Sequence, residues 1–192
     1  MPAGGAILPR RMAHLLFRSR FLAALLALLA LLALPVSADS VAERIAPAGV
    51  LLPADRVIVH KSERRMELLR EGRAIANYRV SLGLNPDGHK QREGDFRTPE
   101  GSYRLTRRNA RSEFFLSVMV SYPEAADMAL AHRNGWSPGG LIMVHGLPNL
   151  PKYSRDRYLN TDWTDGCIAL SNEDMLDFWL LTGPDTPIEI HP

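Results

Sequence analysis

Asp162-Trp163-Thr164-Asp165-Gly166-Cys167-Ile168-Ala169-Leu170 decides how the rest of the chain reads. Cys167 is the one cysteine among 192 residues. A lone thiol is most simply a small buried hydrophobe or half of an intermolecular bridge. Its surroundings point elsewhere. Gly166 lets the backbone turn sharply, so that the amides of Gly166 and Cys167 can face an attacked carbonyl and bind the developing oxyanion. Ile168-Ala169-Leu170 reads as a strand into which the cysteine runs. A thiol near neutral pH is mostly protonated and needs a base or a cationic neighbour. Upstream by 22 residues, Ile142-Met143-Val144-His145-Gly146 reads as a strand that delivers a histidine onto a glycine, and the loop between is long enough to fold back.

Outward from these two segments the chain is mostly short strands. Residues 56–60 and 65–69 read as strands, Glu71-Gly72 as a tight turn, and residues 75–82 as a returning strand with partial alternation. Asn85-Pro86-Asp87-Gly88 is a turn by composition. Gly94-Asp95-Phe96-Arg97-Thr98-Pro99-Glu100-Gly101 is a constrained loop feeding a strand over 103–106, and residues 114–121 and 141–144 are further strands. One helix is clear. Ser171 and Asn172 are good caps, Asp174 stands three residues after Ser171, and Met175, Leu176, Trp179 and Leu180 recur at helical spacing. Gly183-Pro184 stops it, and residues 187–190 close the chain as a strand. The expected fold is therefore mainly β, a sandwich or barrel-like domain with a few short helices.

The formal charge of +2 suggests a basic protein until the charge is located. Residues 1–38 carry Arg10, Arg11, Arg18 and Arg20 and no acid, leaving 19 basic against 21 acidic side chains in the rest. A domain of that balance has no strong pull toward nucleic acid, and no recognition motif is present. The leader has a basic region, a 16-residue apolar run over 21–36, and Val36-Ser37-Ala38 at a cleavage site. That run falls short of the ~20 residues that span a bilayer. The expected organisation is a signal peptide over 1–38, an Ala/Pro-rich linker or tail over 39–54, and a catalytic domain over 55–192. The protein is expected to be exported, to the periplasm or cell envelope, touching a membrane only if the leader stays uncleaved. An exported chain with a single thiol cannot form an internal disulfide, which strengthens the case for a reactive cysteine.

Thr164-Asp165-Gly166-Cys167-Ile168-Ala169-Leu170, Val144-His145-Gly146, Ser81-Leu82-Gly83 and Arg97-Thr98-Pro99-Glu100-Gly101 stand in the order seen in L,D-transpeptidases. Over roughly residues 55–190 the chain resembles that family. The resemblance implies that Cys167 attacks the carbonyl of the L-centre of meso-diaminopimelate at position three of a peptidoglycan tetrapeptide stem. D-Ala then leaves, and an amine from another stem, or from a protein to be attached to the wall, resolves the thioester. It implies His145 as base, Thr164 as the residue shaping the loop, backbone of Asp165, Gly166 and Cys167 around the oxyanion, and the Gly146 carbonyl orienting the imidazole. No metal or other cofactor is implied. Two departures stand out: Ala169 occupies a position where the family often has Arg or Asn, and the interval from His145 to Thr164 is longer than usual. The carboxylate of Asp165 would raise the pKa of a facing thiol, so its side chain is expected to point away.

Trp136 and Trp163 flank the two motifs and, with Tyr153 and Tyr158 of the long interval, are candidate substrate-binding walls. Trp179 belongs with the core. Asp95, Arg97 and Thr98 read as loop-bracing residues. His60, His89, His132 and His191 are scattered, without metal-ligand spacing, and His132 reads as a surface-loop residue. Two other readings compete with a transpeptidase. A hydrolase of the same family would let water take the acyl group, and a catalytically silent wall-binding module would leave Cys167 and His145 without a purpose. A papain-like endopeptidase fits poorly, because there the cysteine starts a helix and the histidine follows it.

Overall fold

The computed structural model describes residues 52–192. The expected signal peptide and nearly all of the expected linker lie outside the described residues. Ala54 is already buried in the core, and its amide donates to the Leu181 carbonyl at 2.7 Å, so the packed domain begins before position 55.

Alternation sets the first three strands. In β1 (Arg56–His60) Val57 and Val59 point inward, and in β2 (Arg65–Arg70) Met66 and Leu68 do the same. β3 (Arg73–Arg79) returns antiparallel to β2 across the Glu71-Gly72 turn, with a register shift at Leu68/Leu69. A period-two pattern of this kind pins the register, because a slip of one residue would turn every apolar side chain to solvent. β4 (Gly101–Ser112) and β5 (Phe115–Val120) form a bulged antiparallel pair. β6 (Met143–His145), β7 (Ile168–Ala169) and β8 (Pro187–His191) complete one mixed sheet ordered β3-β2-β1-β8-β4-β5-β6-β7.

β4 makes this one sheet rather than two. Its first four residues pair with β8, and its remainder pairs with β5. The C-terminal strand β8 slots between β1 and β4, parallel to β1. Beyond β3, Ser81 bridges Ala169 of β7 and Gly83 bridges Thr164, which ties the chain beyond one edge of the sheet to the other edge. The mainly β, barrel-like expectation is met. The buried side chains of both halves, from Val57 to Ile190, form one core cluster.

Three details differ from the sequence reading. β4 runs six residues past Thr106, through Arg107-Arg108-Asn109-Ala110-Arg111-Ser112, which has no apolar alternation and is held by pairing with β5. Two helices appear where none was expected: α1 (Ala125–Arg133), closed by a Glu124/Asp127 capping box, and α2 (Arg155–Asn160), capped by Ser154 inside the long interval after His145. The helix after the cysteine, α3 (Asn172–Leu181), is capped by Ser171 as expected, but its buried face is Met175 and Phe178. Leu176 and Leu180 are 46% and 53% exposed, and Trp179 packs partly against the core beneath the Arg108 guanidinium.

Candidate active site

The pairing of β6 with β7 is parallel, with Val144 opposite Ile168 and His145 opposite Ala169. Val144 and Ile168 turn into the core. Side chains alternate along a strand, so His145 and Ala169 lie on the other face, and Cys167, two residues before Ala169, projects to that same side. Two adjacent parallel strands thus set Cys167 and His145 on one face of the sheet.

The turn holding the thiol is tightly built. Gly166 has φ +128°, and a Cβ there would fall 2.6 Å from the Arg97 carbonyl oxygen, so neither the backbone angle nor the space admits a side chain. Thr164 is buried, and its hydroxyl donates to the Cys167 carbonyl at 2.7 Å while accepting from the Gly166 amide at 3.2 Å. The Gly166 N–H is therefore engaged within the turn, a correction to its expected place as an oxyanion donor. Leu82 and Gly83 are strapped between the motifs. The Leu82 carbonyl accepts from the amides of Trp163 and Thr164, and the Gly83 amide donates to Thr98 Oγ1 at 3.1 Å. The four motifs recognised in sequence converge on this turn.

His145 is 4% exposed, and its Nδ1 lies 2.7 Å from the Gly146 carbonyl oxygen. A carbonyl only accepts, so Nδ1 carries the proton and Nε2 presents its lone pair. Phe114, at a ring-centroid distance of 4.6 Å, and Trp163, at 5.6 Å, pack against the imidazole, and Tyr158 packs edge-on behind Trp163 at 4.9 Å. Burial in this aromatic box drives the imidazole pKa down to about 4, against the smaller raising effect of the Gly146 bond. Burial also pushes the Cys167 thiol up, and the charge of the solvent-exposed Asp165 adds to that shift. The Met143 amide and Lys90 oppose it. The thiol donates to the Leu141 carbonyl at 3.6 Å. At neutral pH the pair is a neutral thiol beside a neutral imidazole, so the proton must move as the sulfur attacks.

On the other flank of the turn lies residues 85–101, a loop organised by buried charge. Asp95 accepts from Lys90 Nζ at 2.8 Å and from the amides of Gln91, Arg92 and Arg97. Burial would raise its pKa, but these four donors outweigh it and hold the carboxyl below its ordinary value. Lys61 Nζ donates to the carbonyls of Gly88 and Thr98 and to Glu100 Oε1 at 2.7 Å. Its ammonium pKa is lowered by burial, with Glu100 acting against the shift. Asp95 and Thr98 brace the loop as expected. Lys61, Lys90 and Phe114 were not singled out in the sequence, because a lone lysine in a loop looks like a solvated charge and a lone Phe like ordinary core.

The four aromatic candidates separate. Trp163 stands against His145, and Tyr158 is 5% exposed, so its ring is a packing element rather than a wall open to substrate. Its carbonyl accepts from Trp163 Nε1 at 3.1 Å. Tyr153 is exposed under the Arg157 guanidinium. Trp136 lines a cleft of about 390 Å³ with Arg92, Asp95 and Arg97. His132 sits in the last turn of α1. Among the described residues no cluster of His, Cys, Asp and Glu is arranged to hold a metal ion.

Against known proteins, the family model for the YkuD L,D-transpeptidase catalytic domain matches residues 54–190. YafK of Escherichia coli K12, whose own L,D-transpeptidase assignment is provisional, is 25% identical over 148 residues, covering 70% of this chain and 52% of YafK. The chain thus spans about half the length of the curated relatives it matches. The crystal structure of the helical cell shape determining protein Pgp2 from Campylobacter jejuni superposes with a TM-score of 0.55 at 26% identity, covering 70% of this chain and 46% of that one. Bd1075 of Bdellovibrio bacteriovorus shares the fold at a TM-score of 0.50 and 22% identity, covering 75% of this chain and 52% of Bd1075.

Proposed function

This chain belongs to the L,D-transpeptidase catalytic-domain family, and from that premise we propose that it is an exported cysteine acyltransferase working on peptidoglycan peptide stems in the periplasm or cell envelope. Cys167 is the nucleophile and His145 the base. The single observation supporting this is the β6/β7 register, which puts Cys167 on the same face as an imidazole whose tautomer is fixed by the Gly146 carbonyl.

In the first half-reaction the sulfur attacks the carbonyl of the L-centre of diaminopimelate as its proton passes to His145 Nε2. The amides of Asp165 and Cys167 take the oxyanion. The C–N bond to D-Ala breaks, the leaving amine collects the proton from the imidazolium, and a thioester remains on Cys167. In the second half-reaction an acceptor amine gives its proton to Nε2 and displaces the thiol. A diaminopimelate amine as acceptor yields a 3–3 crosslink, and a protein amine attaches that protein to the wall. Positioning alone can supply large effective molarities for such a step.

A second reading, with water as acceptor, gains support from one feature. Residues 147–162, the long interval after His145, carry α2 and turn Tyr158 inward against Trp163. Such a segment packs the base, while the half-buried thiol makes its contact with the Leu141 carbonyl. Incubation with disaccharide-tetrapeptide and mass analysis of the products separates the two. Dimers joined between two diaminopimelates establish transpeptidation, and clean conversion to tripeptide monomer in the presence of excess amine establishes the hydrolase. No consumption of tetrapeptide by the folded protein overturns both.

A further inference from the structure

Next to the thiol turn, Arg97 contributes its carbonyl to the wall of Gly166 and its side chain to the cleft of about 390 Å³. Asn85, Gln91, Arg92, Asp95 and Trp136 form the rest of that cleft with Gly94. Its charge is unbalanced. Asp95 is neutralised by Lys90, and both of its oxygens are filled by backbone amides and that ammonium. Two cations are left over. Arg92 lies over the Trp136 ring, 5.5 Å from its centroid. Arg97 reaches the His89 carbonyl only at 3.4 Å, and its buried Nε has no partner. Among the described residues neither arginine forms an ion pair. That sealed Nε is not itself within reach of the cleft, but Arg97 is only half-buried and lines it, and a planar fork of donors suits a carboxylate.

We propose that this cleft is a carboxylate subsite, in which Arg97 and Arg92 bind a free carboxylate of the stem peptide while the neighbouring thiol attacks its carbonyl. The inference rests on the reading of the protein as a stem-peptide acyltransferase and gives that reading its anchor. The stem offers two such groups close to the attacked carbonyl: the terminal carboxylate of D-Ala, one residue beyond it, and the D-centre carboxylate of diaminopimelate. Asp95, held by Lys90, acts as a positioning residue. By capturing the amides of residues 91, 92 and 97 it fixes the curve of loop from which both arginines project.

The test is equilibrium binding to the Cys167→Ala protein, which cannot turn its ligand over. The probes are the free tetrapeptide, its C-terminal carboxamide, and the tetrapeptide amidated at the D-centre of diaminopimelate. Loss of a charge-assisted pair predicts that one amide binds about 10- to 100-fold more weakly, and which one it is identifies the carboxylate. That penalty is expected to vanish in proteins also carrying Arg97→Met, or Arg92→Gln should Arg97→Met fail to fold. Equal binding of all three peptides, no binding of the free acid, or a penalty that survives in the folded arginine variants overturns the subsite. Turnover by the unsubstituted protein is scored separately. Discrimination without thioester formation sinks the acyltransferase and spares the subsite, while turnover without discrimination does the reverse.

Discussion

His145 and Lys90 flank the same thiol turn and are almost equally enclosed, at 4% and 3% exposure, yet the fold treats them in opposite ways. The histidine is walled by Phe114 and Trp163 and meets one neutral polar partner, the Gly146 carbonyl. The lysine is set on a carboxylate that three backbone amides also bind. Desolvation disfavours charge in both places. In the first only the weaker pull of the Gly146 carbonyl opposes it, and the imidazole stays neutral. In the second an ion pair with filled hydrogen bonds offsets it. A base must be neutral to accept a proton, and a loop that shapes a binding cleft must be rigid. Under the proposed mechanism the two burials serve those two ends.

The thiol stands where the two regions meet, so its loss gives the largest effect. Cys167→Ala should keep the fold, since the turn is built from Thr164 and Gly166, and abolish thioester formation and turnover. Measurable turnover by the folded variant breaks the proposal. Next in size, His145→Gln should slow acylation by about 10²–10⁴-fold while changing unfolding free energy by about 1 kcal/mol or less. Single-turnover mass spectrometry and urea unfolding read the two quantities.

Asp95→Ala should act first on stability. It strands the Lys90 charge, which costs about 3–5 kcal/mol of stability. Replacing both partners with apolar residues, as in Lys90→Met with Asp95→Leu, should recover much of that. If Asp95→Ala proves as stable as the unsubstituted protein, the loop is not organised by this pair.

The pH dependence separates the regions again. An unfolded chain takes up a proton at His145 near pH 6.5 that the folded imidazole refuses until about 4. Between those values the unfolded state binds more protons, so stability falls as the pH drops through the window, by about 3 kcal/mol at its acid end. His145→Gln should remove that component from the urea midpoint measured across pH 4–7. An unaltered slope would mean that the box does not hold the imidazole neutral. In the smallest effect, Trp163→Phe keeps a ring against His145 but loses the bond to the Tyr158 carbonyl, costing about 1 kcal/mol. A much larger loss would make that bond, rather than ring packing, the support of the base.

Much of the fold was legible where side chains alternate. Val57 and Val59, Met66 and Leu68, and Ile188 and Ile190 announce strands because one face of each meets the core. The second half of β4 gave no such signal, since that stretch is held by backbone pairing with β5 and has no alternating buried face. Helix α3 was legible in its cap but not in its face. Leu176 and Leu180 look as buried as Met175 and Phe178 until the sheet chooses a side.

By itself the sequence determined the β-rich class, the family, and the two segments bearing Cys167 and His145, because motif residues and apolar periodicity are local in the chain. Only the tertiary structure decided the state of those groups. Phe114 and Trp163 stand 31 and 18 residues from His145 in sequence, and Lys90 lies 77 residues before Cys167. Desolvation and charge act through space over a few ångströms, so whether a histidine is neutral, a glycine amide already engaged, or an arginine left without a partner depends on neighbours that no local pattern names.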